Sequence, residues 1–176
     1  MRTAIVCGAG GFIGGHLVKR LKQDGFWVRG VDRKHHEFAP SQADEFVLAD
    51  LRDITSCRAV FDRPFDETYQ LAADMGGTEY IYDGRYDADI VRNSMLINLN
   101  VAESCKQTGS RRVFFSSSAC IYPERNQLDP DHPNCAEDTA YPAAPDSEYG
   151  WEKLLAERLF QLWPLSRPRA AHCALS

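Results

Sequence analysis

A tyrosine and a lysine four residues apart form the pair in this sequence best suited to proton transfer. Tyr149 and Lys153 stand at positions i and i+4 of a segment with helical period, so their side chains share one helix face. A free phenol titrates near pH ~10 and is a weak base at neutral pH. A neighbouring ammonium group favours the phenolate and so lowers the barrier to removing a hydroxyl proton. The pair therefore predicts removal of a proton from a substrate hydroxyl.

Three serines, Ser116, Ser117 and Ser118, end a short apolar run that comes before this pair. The run predicts a β-strand, and α/β proteins bind ligands at the carboxyl ends of their parallel strands. A serine hydroxyl at that edge can orient the substrate hydroxyl opposite Tyr149. Each feature occurs by chance in unrelated proteins, so it is their order along the chain that favours catalysis.

The segment from Gly8 to Gly14 follows the first predicted strand and has the spacing G-x-x-G-x-x-G. In the dinucleotide-binding fingerprint the first glycine permits a sharp turn, the second admits a pyrophosphate close to the backbone, and the third lets a helix pack closely. These positions fall on Gly8, Gly11 and Gly14. Free N–H groups at the start of the next helix would face the phosphates. The segment predicts a turn that binds NAD, and the alternative is a structural loop.

Acidic residues follow the second and third predicted strands. Asp32 lies about 20 residues beyond the glycine turn, where the fingerprint places the carboxylate that binds a ribose 2′-hydroxyl. Its charge would repel the 2′-phosphate of NADP, so Asp32 predicts NAD, although Arg33 and Lys34 weaken that preference. Asp50 and Leu51 stand where an adenine ring is expected. Asp50 is otherwise an ordinary acid at a strand end.

Short β-rich apolar runs alternate with longer segments of helical period. The alternation predicts an α/β fold of the Rossmann type, a doubly wound parallel sheet with helices on both faces. Residues 74–84 contain three glycines and predict a loop, and residues 123–145 predict an ordered surface excursion. The predicted strands are residues 3–7, 26–31, 45–48, 67–72 and 112–116. The predicted helices are residues 13–24, with Ile13, Leu17, Val18 and Leu21 on the apolar face, residues 54–61, residues 88–108, and one that begins near residue 147.

From about Ala4 to Phe160 the chain resembles the extended short-chain dehydrogenase/reductase family of NAD-dependent epimerases and dehydratases, and within it the GDP-mannose 3,5-epimerases. The resemblance is carried by three stretches, Leu71-Ala-Ala-Asp-Met-Gly-Gly77, Ser117-Ser-Ala-Cys-Ile-Tyr-Pro-Glu124 and Tyr149-Gly-Trp-Glu-Lys153. The second stretch is the most specific, because Cys120 follows Ser118 by two positions.

The resemblance implies transient oxidation of a nucleotide sugar. Tyr149 would remove the proton of the sugar 4-hydroxyl while the C4 hydride passes to NAD, and Ser118 would hold the 4-oxygen. The ketone would acidify the hydrogens at C3 and C5, and Cys120 as thiolate would remove them before an opposing acid reprotonates the other face. Return of the hydride leaves no net redox change. Gly76 and Gly77 would approach the sugar.

Further contacts to NAD follow from the same resemblance. They are implied for Phe12, Ile13, Leu71, Ala72 and Ala73, together with Tyr149 and Lys153. Members of the family continue beyond the length of this chain with a smaller domain over the nucleotide sugar, and a homodimer is expected for the full-length proteins.

Cys120 also has a plainer interpretation, since a cysteine near a strand end is most often a small buried hydrophobic residue. The other five cysteines, Cys7, Cys57, Cys105, Cys135 and Cys173, are assigned no function. They form no Cys-x-x-Cys pair, and no signal peptide precedes the first strand, so reduced thiols in the cytoplasm are expected.

Composition argues against several other classes of protein. A net charge of −5 disfavours nucleic-acid binding, which needs a clustered basic surface. No apolar run approaches the roughly 20 residues that span a bilayer, so no membrane association is expected. The five histidines lack the spacing of a zinc site, and no metal is expected.

Residues 1–161 predict one incomplete NAD-binding Rossmann domain, and residues 162–176 an aberrant tail. Pro164 and Pro168 interrupt any helix there, so the tail is expected to form neither a paired strand nor a packed helix. The chain by itself is therefore expected to leave the edge of the fifth strand uncovered and to turn over no nucleotide sugar. Two alternatives stay open, a nucleotide-sugar 4-epimerase or 4,6-dehydratase and a non-catalytic NAD-binding remnant.

Overall fold

Six parallel strands form one sheet in a computed structural model that describes residues 1–129, 131–162 and 172–174. The strands are β1 (Thr3–Cys7), β2 (Trp27–Asp32), β3 (Glu45–Leu48), β4 (Glu67–Gln70), β5 (Val113–Ser116) and β6 (His172–Ala174). Their order across the sheet is β3-β2-β1-β4-β5-β6, so the direction of winding reverses between β1 and β4. This confirms the predicted Rossmann-type fold.

The helices cover both faces of the sheet. They are α1 (Phe12–Gln23), α2 (Ile54–Val60), α3 (Thr78–Tyr82), α4 (Asp87–Thr108) and α5 (Glu148–Leu162), with short 3₁₀ turns at Ala119–Ile121, Glu124–Asn126 and Glu137–Ala140. α3 lies in the segment predicted to be a loop, so that prediction is wrong in part. A helix of five residues is too short to show a 3.6-residue repeat, and Gly77 caps it in an extended conformation with no side-chain bond.

Alternation along β1 divides the core into two parts. Ile5 and Cys7 face the cluster under α2, α4 and α5, which includes Phe160, whereas Ala4 and Val6 face the cluster under α1. Both faces are therefore apolar, as expected of a buried parallel strand. The carboxyl ends of the strands are left as the polar edge of the sheet.

Ile13 does not join the core as predicted. Val18 and Leu21 are buried and Leu17 packs beside them, but Ile13 is 66% exposed. It lies in the first turn of α1, next to the glycine turn that follows β1, and is absent from the cluster that holds the rest of the apolar face. The helical period was correct, but it could not show where the sheet ends beneath the helix.

The prediction that the tail forms no paired strand is also wrong. β6 pairs in parallel with β5, from Phe114 opposite His172 to Ser116 opposite Ala174. Three residues are enough to pair with the free N–H and C=O groups of an edge strand, and these three come after both prolines. The edge of β5 is thus covered at these residues, while residues 163–171 and 175–176 of the predicted tail lie outside the described residues.

Gly14 is the position at which α1 meets the turn after β1. A Cβ there would lie 2.0 Å from the carbonyl oxygen of Gly8, a backbone atom that cannot move aside. We therefore expect Gly14→Ala to lower the free energy of unfolding by about 1–3 kcal/mol, as overpacking does. Denaturant unfolding followed by circular dichroism measures this loss.

Gly77→Ala is the matched control, because a Cβ at Gly77 would meet nothing within 4 Å and φ there is −71°. Its cost is expected to stay below about 1 kcal/mol, the usual effect of alanine at a helix N-cap. Equal stability of the two variants would contradict this account of the turn.

Candidate active site and cofactor cavity

One crowded contact and one extended residue shape the glycine turn. Gly8 has φ of +87°, and a Cβ there would lie 2.9 Å from the amide nitrogen of Ala72, which follows β4. Only glycine adopts this conformation at no cost and leaves room for the neighbouring strand end. Gly11 precedes α1 with an extended backbone, so the first N–H groups of α1 have no partner within the helix.

Gly10 is a functional position that sequence analysis missed. Its N–H donates to the Asp32 carboxylate at 2.9 Å, and a Cβ on it would lie 2.2 Å from the carbonyl oxygen of Lys34. The N–H of Lys34 donates to the other Asp32 oxygen at 3.2 Å. Asp32 therefore ties the glycine turn to the segment after β2. The signal that could have revealed this was a fourth glycine within the motif.

A cavity of about 620 Å³ opens at the carboxyl edge of the sheet, near the ends of β1 and β4, between which the direction of winding reverses. Eight of its lining residues were predicted to hold NAD, namely Gly8, Gly11, Asp32, Asp50, Leu51, Leu71, Ala72 and Ala73. Eight more were not predicted to line it, namely Arg33, Lys34, Ala49, Arg52, Asp74, Met75, Asn93 and Ile97.

Other residues predicted to contact NAD lie away from the cavity lining. Phe12 and Ile13 are 68% and 66% exposed in the first turn of α1, and Gly14 is buried against Gly8. Tyr149 and Lys153 are buried at the start of α5. The structure thus brings the turn and the strand ends together around one cavity and leaves these five residues outside its wall.

Asp50 is engaged by a neighbour inside this cavity. The Arg52 guanidinium approaches its carboxylate to 2.6 Å, and this hydrogen bonding holds the pKa of Asp50 below its usual value. The side-chain amide of Asn100 donates to the carbonyl oxygens of Leu51 and Arg52 at 3.0 and 2.9 Å. The wall is therefore braced from α4, and the carboxylate expected beside an adenine ring has an arginine partner within the chain.

The loop after β4 is anchored through Asp74. Its carboxylate accepts a hydrogen bond of 2.6 Å from Asn93, and its N–H donates to the Ser94 hydroxyl at 3.0 Å. A Cβ on Gly76 would lie 2.5 Å from the Tyr80 side chain, whereas Gly77 faces open space. The absence of a side chain at Gly76 is thus explained by packing within the loop. Gly77 keeps the free surface that was expected of both glycines.

Tyr149 is buried at the start of α5. Burial raises the pKa of its phenol above the usual value, and hydrogen bonding to Ser118 partly opposes this shift. Desolvation is the largest cause of this shift.

Lys153 is buried beside the end of β5. Its ammonium donates to the carbonyl oxygen of Ser116 at 3.0 Å and lies 5.7 Å from the centre of the Tyr149 ring. Burial lowers the pKa of Lys153, and the adjacent Glu152 opposes this. The lysine is thus fixed on the strand end, with its charge near the phenol.

Cys120 and Ser118 are held in one turn against the first turn of α5. The Ser118 hydroxyl accepts from the N–H of Cys120 at 3.2 Å. A Cβ on Gly150 would lie 2.2 Å from the carbonyl oxygen of Cys120, so only glycine lets the helix pack this closely. Tyr149, the neighbour of Gly150, is thereby placed beside Ser118. The three predicted side chains, those of Tyr149, Ser118 and Cys120, form one cluster.

A buried polar chain links this helix to the cavity. The Gln70 side-chain amide donates to Asn98 at 2.8 Å, and Asn98 donates to Glu152 at 2.8 Å. Gln70 also donates to the carbonyl oxygen of Ala72 at 2.8 Å. Burial raises the pKa of Glu152. Sequence analysis assigned none of these three residues, because their meeting depends on the packing of α4 between β4 and α5.

The cavity fits NAD by shape and by donor set. Gly11 offers backbone without a side chain, the first turn of α1 offers N–H groups, and Asp32 offers a carboxylate at the end of β2. These residues would hold the pyrophosphate and a ribose. Among residues 1–129 and 131–162, no three His, Cys, Asp or Glu side chains are grouped to hold a metal ion, and no helix is long and apolar enough to cross a membrane.

Comparison with known proteins shows similarity to several epimerases. It is 40% identical over 156 residues to GDP-mannose 3,5-epimerase of Arabidopsis thaliana, across 88% of this chain and 41% of the relative. It is 35% identical over 127 residues to UDP-glucose 4-epimerase of Mycolicibacterium smegmatis, across 67% and 39%. The chain therefore spans about two fifths of the length of these relatives.

Solved structures share the fold over about half of their length. UDP-glucose 4-epimerase of Thermotoga maritima, solved with UDP-glucose, superposes with a TM-score of 0.77 at 23% identity, over 92% of this chain and 50% of that one. The Thermus thermophilus UDP-glucose 4-epimerase complex with NAD has a TM-score of 0.66 at 27% identity, over 89% and 49%. Residues 4–166 match the model of the NAD dependent epimerase/dehydratase family. With a Rossmann sheet, a glycine turn and an acid that fit NAD, the chain belongs to that family, and NAD is its cofactor.

Proposed function

We propose that this chain takes part in the 3,5-epimerisation of a nucleotide sugar similar to GDP-mannose. The observation that carries the proposal is the packing of α5 on the turn after β5, where Gly150 admits the Cys120 carbonyl and Tyr149 lies beside Ser118. A phenol, a hydroxyl and a thiol then share one site. The identity of 40% to the Arabidopsis 3,5-epimerase supports the same assignment.

Each side chain of this cluster has a distinct task. When bound, NAD supplies a hydride acceptor for C4 of the sugar. Tyr149 takes the proton of the 4-hydroxyl, and the ammonium of Lys153 favours the resulting phenolate. Ser118 orients the 4-oxygen. The ketone at C4 makes the protons at C3 and C5 acidic. Cys120, as thiolate, is the base that removes them.

Cys120 separates this proposal from its nearest alternative. A nucleotide-sugar 4-epimerase or 4,6-dehydratase would use the same tyrosine, lysine and serine, and UDP-glucose 4-epimerases are among the similar proteins. Reversal at C4 alone needs no base at C3 or C5. A 4,6-dehydratase needs a base at C5 but none at C3, so a thiol beside Ser118 that serves both carbons favours 3,5-epimerisation.

A homodimer and a cytoplasmic location complete the proposal. Trp151, Leu155 and Leu162 lie on one exposed face of α5, at spacings of four and seven residues, and Leu99 of the adjoining α4 is also exposed. Exposed apolar side chains on two packed helices suit a second copy of the same surface. The free thiols of Cys7, Cys57, Cys105, Cys120 and Cys135 suit a reducing compartment.

The first test concerns Asp32 and the choice of cofactor. The unmodified chain is expected to bind NAD more tightly than NADP. Asp32→Asn keeps an oxygen for the N–H of Gly10 but loses the charge, so it should reduce the difference in affinity between NAD and NADP. Asp32→Ala should cost about 1.5–3 kcal/mol of NAD binding, the value of a hydrogen bond to a charged group. Calorimetric titration with both cofactors measures these effects.

Asp24→Ala is the control, since Asp24 is an exposed acid at the end of α1 that pairs with Arg20. It should leave both affinities unchanged. Tighter binding of NADP by the unmodified chain would refute the role given to Asp32.

The second test separates the tasks of Cys120 and Tyr149. This chain, joined to the remaining part of the Arabidopsis relative, is incubated with NAD and GDP-mannose in deuterated water. Cys120→Ser should abolish deuterium incorporation at C3 and C5 and leave the reduction of NAD intact, because only the base at carbon is lost. Tyr149→Phe should stop both. Mass spectrometry of the sugar and absorbance of the cofactor report the two steps.

Cys135→Ser is the matched control for this experiment, because Cys135 packs at the edge of another apolar cluster. It should incorporate deuterium normally. Normal incorporation by Cys120→Ser would show that Cys120 is not the base, whereas no incorporation by the unmodified chimera would favour a 4-epimerase.

The third test concerns the apolar face of α5. Leu155→Glu places a charge at its centre and should convert a dimer into a monomer, since burying an unpaired carboxylate is costly. Sedimentation velocity measures the mass. Leu128→Glu, at an exposed leucine outside this face, is the control and should not change it. A monomeric unmodified protein would refute the proposed dimer.

A further inference from the structure

Tyr82 meets the proposed base from a second element. It is the last residue of α3, and its phenolic oxygen lies 3.4 Å from the Cys120 sulfur. Tyr82 is 51% exposed, so packing in the core does not explain the position of its ring. Sequence analysis gave Tyr82 no task, because α3 was expected to be a loop.

The direction of this hydrogen bond follows from the two acidities. A free cysteine titrates near pH ~8.5 and a free tyrosine near pH ~10, so a thiol is by nature the stronger acid of these two side chains. Hydrogen bonding to Cys120, followed by burial, raises the pKa of Tyr82 well above its usual value. The phenol therefore keeps its proton and donates to the sulfur.

The charges around Tyr82 and Cys120 disfavour a thiolate unless a hydrogen-bond donor stabilises it. The groups that face Tyr82 are Cys120 itself, Asp146 in the segment before α5, and Tyr149 within α5. The acidic side chain of Asp146 opposes a second anion nearby, and burial raises the pKa of the Tyr149 phenol. A thiolate at Cys120 must therefore be stabilised by hydrogen bonds, and those to an ionised acceptor are the stronger kind.

We propose that Tyr82 is a positioning residue for Cys120, whose hydroxyl donates to the thiolate and aims its sulfur at the sugar. This inference rests on the proposed function, in which the thiolate takes a proton from carbon. In that step the S–H bond forms as the C–H bond breaks, and the electron pair stays on the sugar beside its carbonyl. Tyr82 keeps its own proton throughout.

Alkylation of Cys120 by iodoacetamide tests the inference on the purified chain without cofactor or substrate. The thiolate is the reacting form, so the rate against pH reports how readily the proton leaves. In Tyr82→Phe the pH of half-maximal rate should rise by about one unit, equivalent to about 1.4 kcal/mol. The plateau at high pH should stay unchanged. Peptide mass spectrometry follows Cys120 and, in the same sample, Cys135 as an internal reference for intact folding.

Tyr80→Phe is the matched control, because Tyr80 lies on the same short helix but directs its hydroxyl to Asp74 at 3.3 Å. Its Cys120 profile should match that of the unmodified chain. The inference is overturned if Tyr82→Phe leaves the half-maximal pH unmoved, if Tyr80→Phe moves it equally, or if Tyr82→Phe merely speeds alkylation at every pH. The last outcome would mean that the ring only shields the sulfur.

This experiment is independent of epimerase activity. If Cys120→Ser exchanged the sugar hydrogens normally, the proposed function would fail while the alkylation profile still decided the role of Tyr82. An unmoved profile together with lost exchange in Cys120→Ser would refute Tyr82 and leave the function intact.

Discussion

Two places where a helix begins against a backbone carbonyl govern the geometry of this protein. At Gly14 the first turn of α1 meets the Gly8 carbonyl, and at Gly150 the first turn of α5 meets that of Cys120. A methyl group at either place would overlap the oxygen, and overlap with backbone is relieved only by moving a whole element. The first contact fixes the N–H groups beside the cavity. The second fixes Tyr149 beside Ser118, so both halves of the proposed site depend on a missing Cβ.

Burial then determines how the polar groups between these contacts behave. Desolvation raises the pKa values of Tyr149 and Glu152 and lowers that of Lys153, so all three are pushed towards their neutral forms. Hydrogen bonds within the chain meet part of the cost, through Asn98 to Glu152 and through the Ser116 carbonyl to Lys153. Loss of one of these hydrogen bonds at this depth would be costly, which favours one arrangement of α4, α5 and the sheet.

Sequence alone predicted the strands and the long helices because each buries a periodic apolar face over several turns or residues. It also predicted most of the cavity wall, since the motif places glycines and acids at strand ends. It could not reveal α3, which is shorter than the period that identifies a helix, or β6, whose three residues pair only because an edge is near. The sequence could not reveal the bond of Gly10 to Asp32 or that of Arg52 to Asp50. A carboxylate at a strand end can bind a ligand or a group of its own chain, and the motif does not show which.

The residues of the site that bind the cofactor differ in kind from those that determine the reaction. The cavity is defined by backbone, by small residues and by charged residues that follow the strands, features that tolerate wide changes elsewhere in the sequence. This agrees with a TM-score of 0.77 to the Thermotoga maritima structure at only 23% identity. The proposed chemistry at C3 and C5 depends instead on Cys120, in a 3₁₀ turn, and on Tyr82, at the end of a five-residue helix. Because neither the 3₁₀ turn nor the short helix is part of the sheet, the residues of both can change without disturbing the Rossmann core. A family that shares one fold can therefore vary its reaction at the edge of the sheet, and the identity of the residues there is a better guide to the reaction than the fold is.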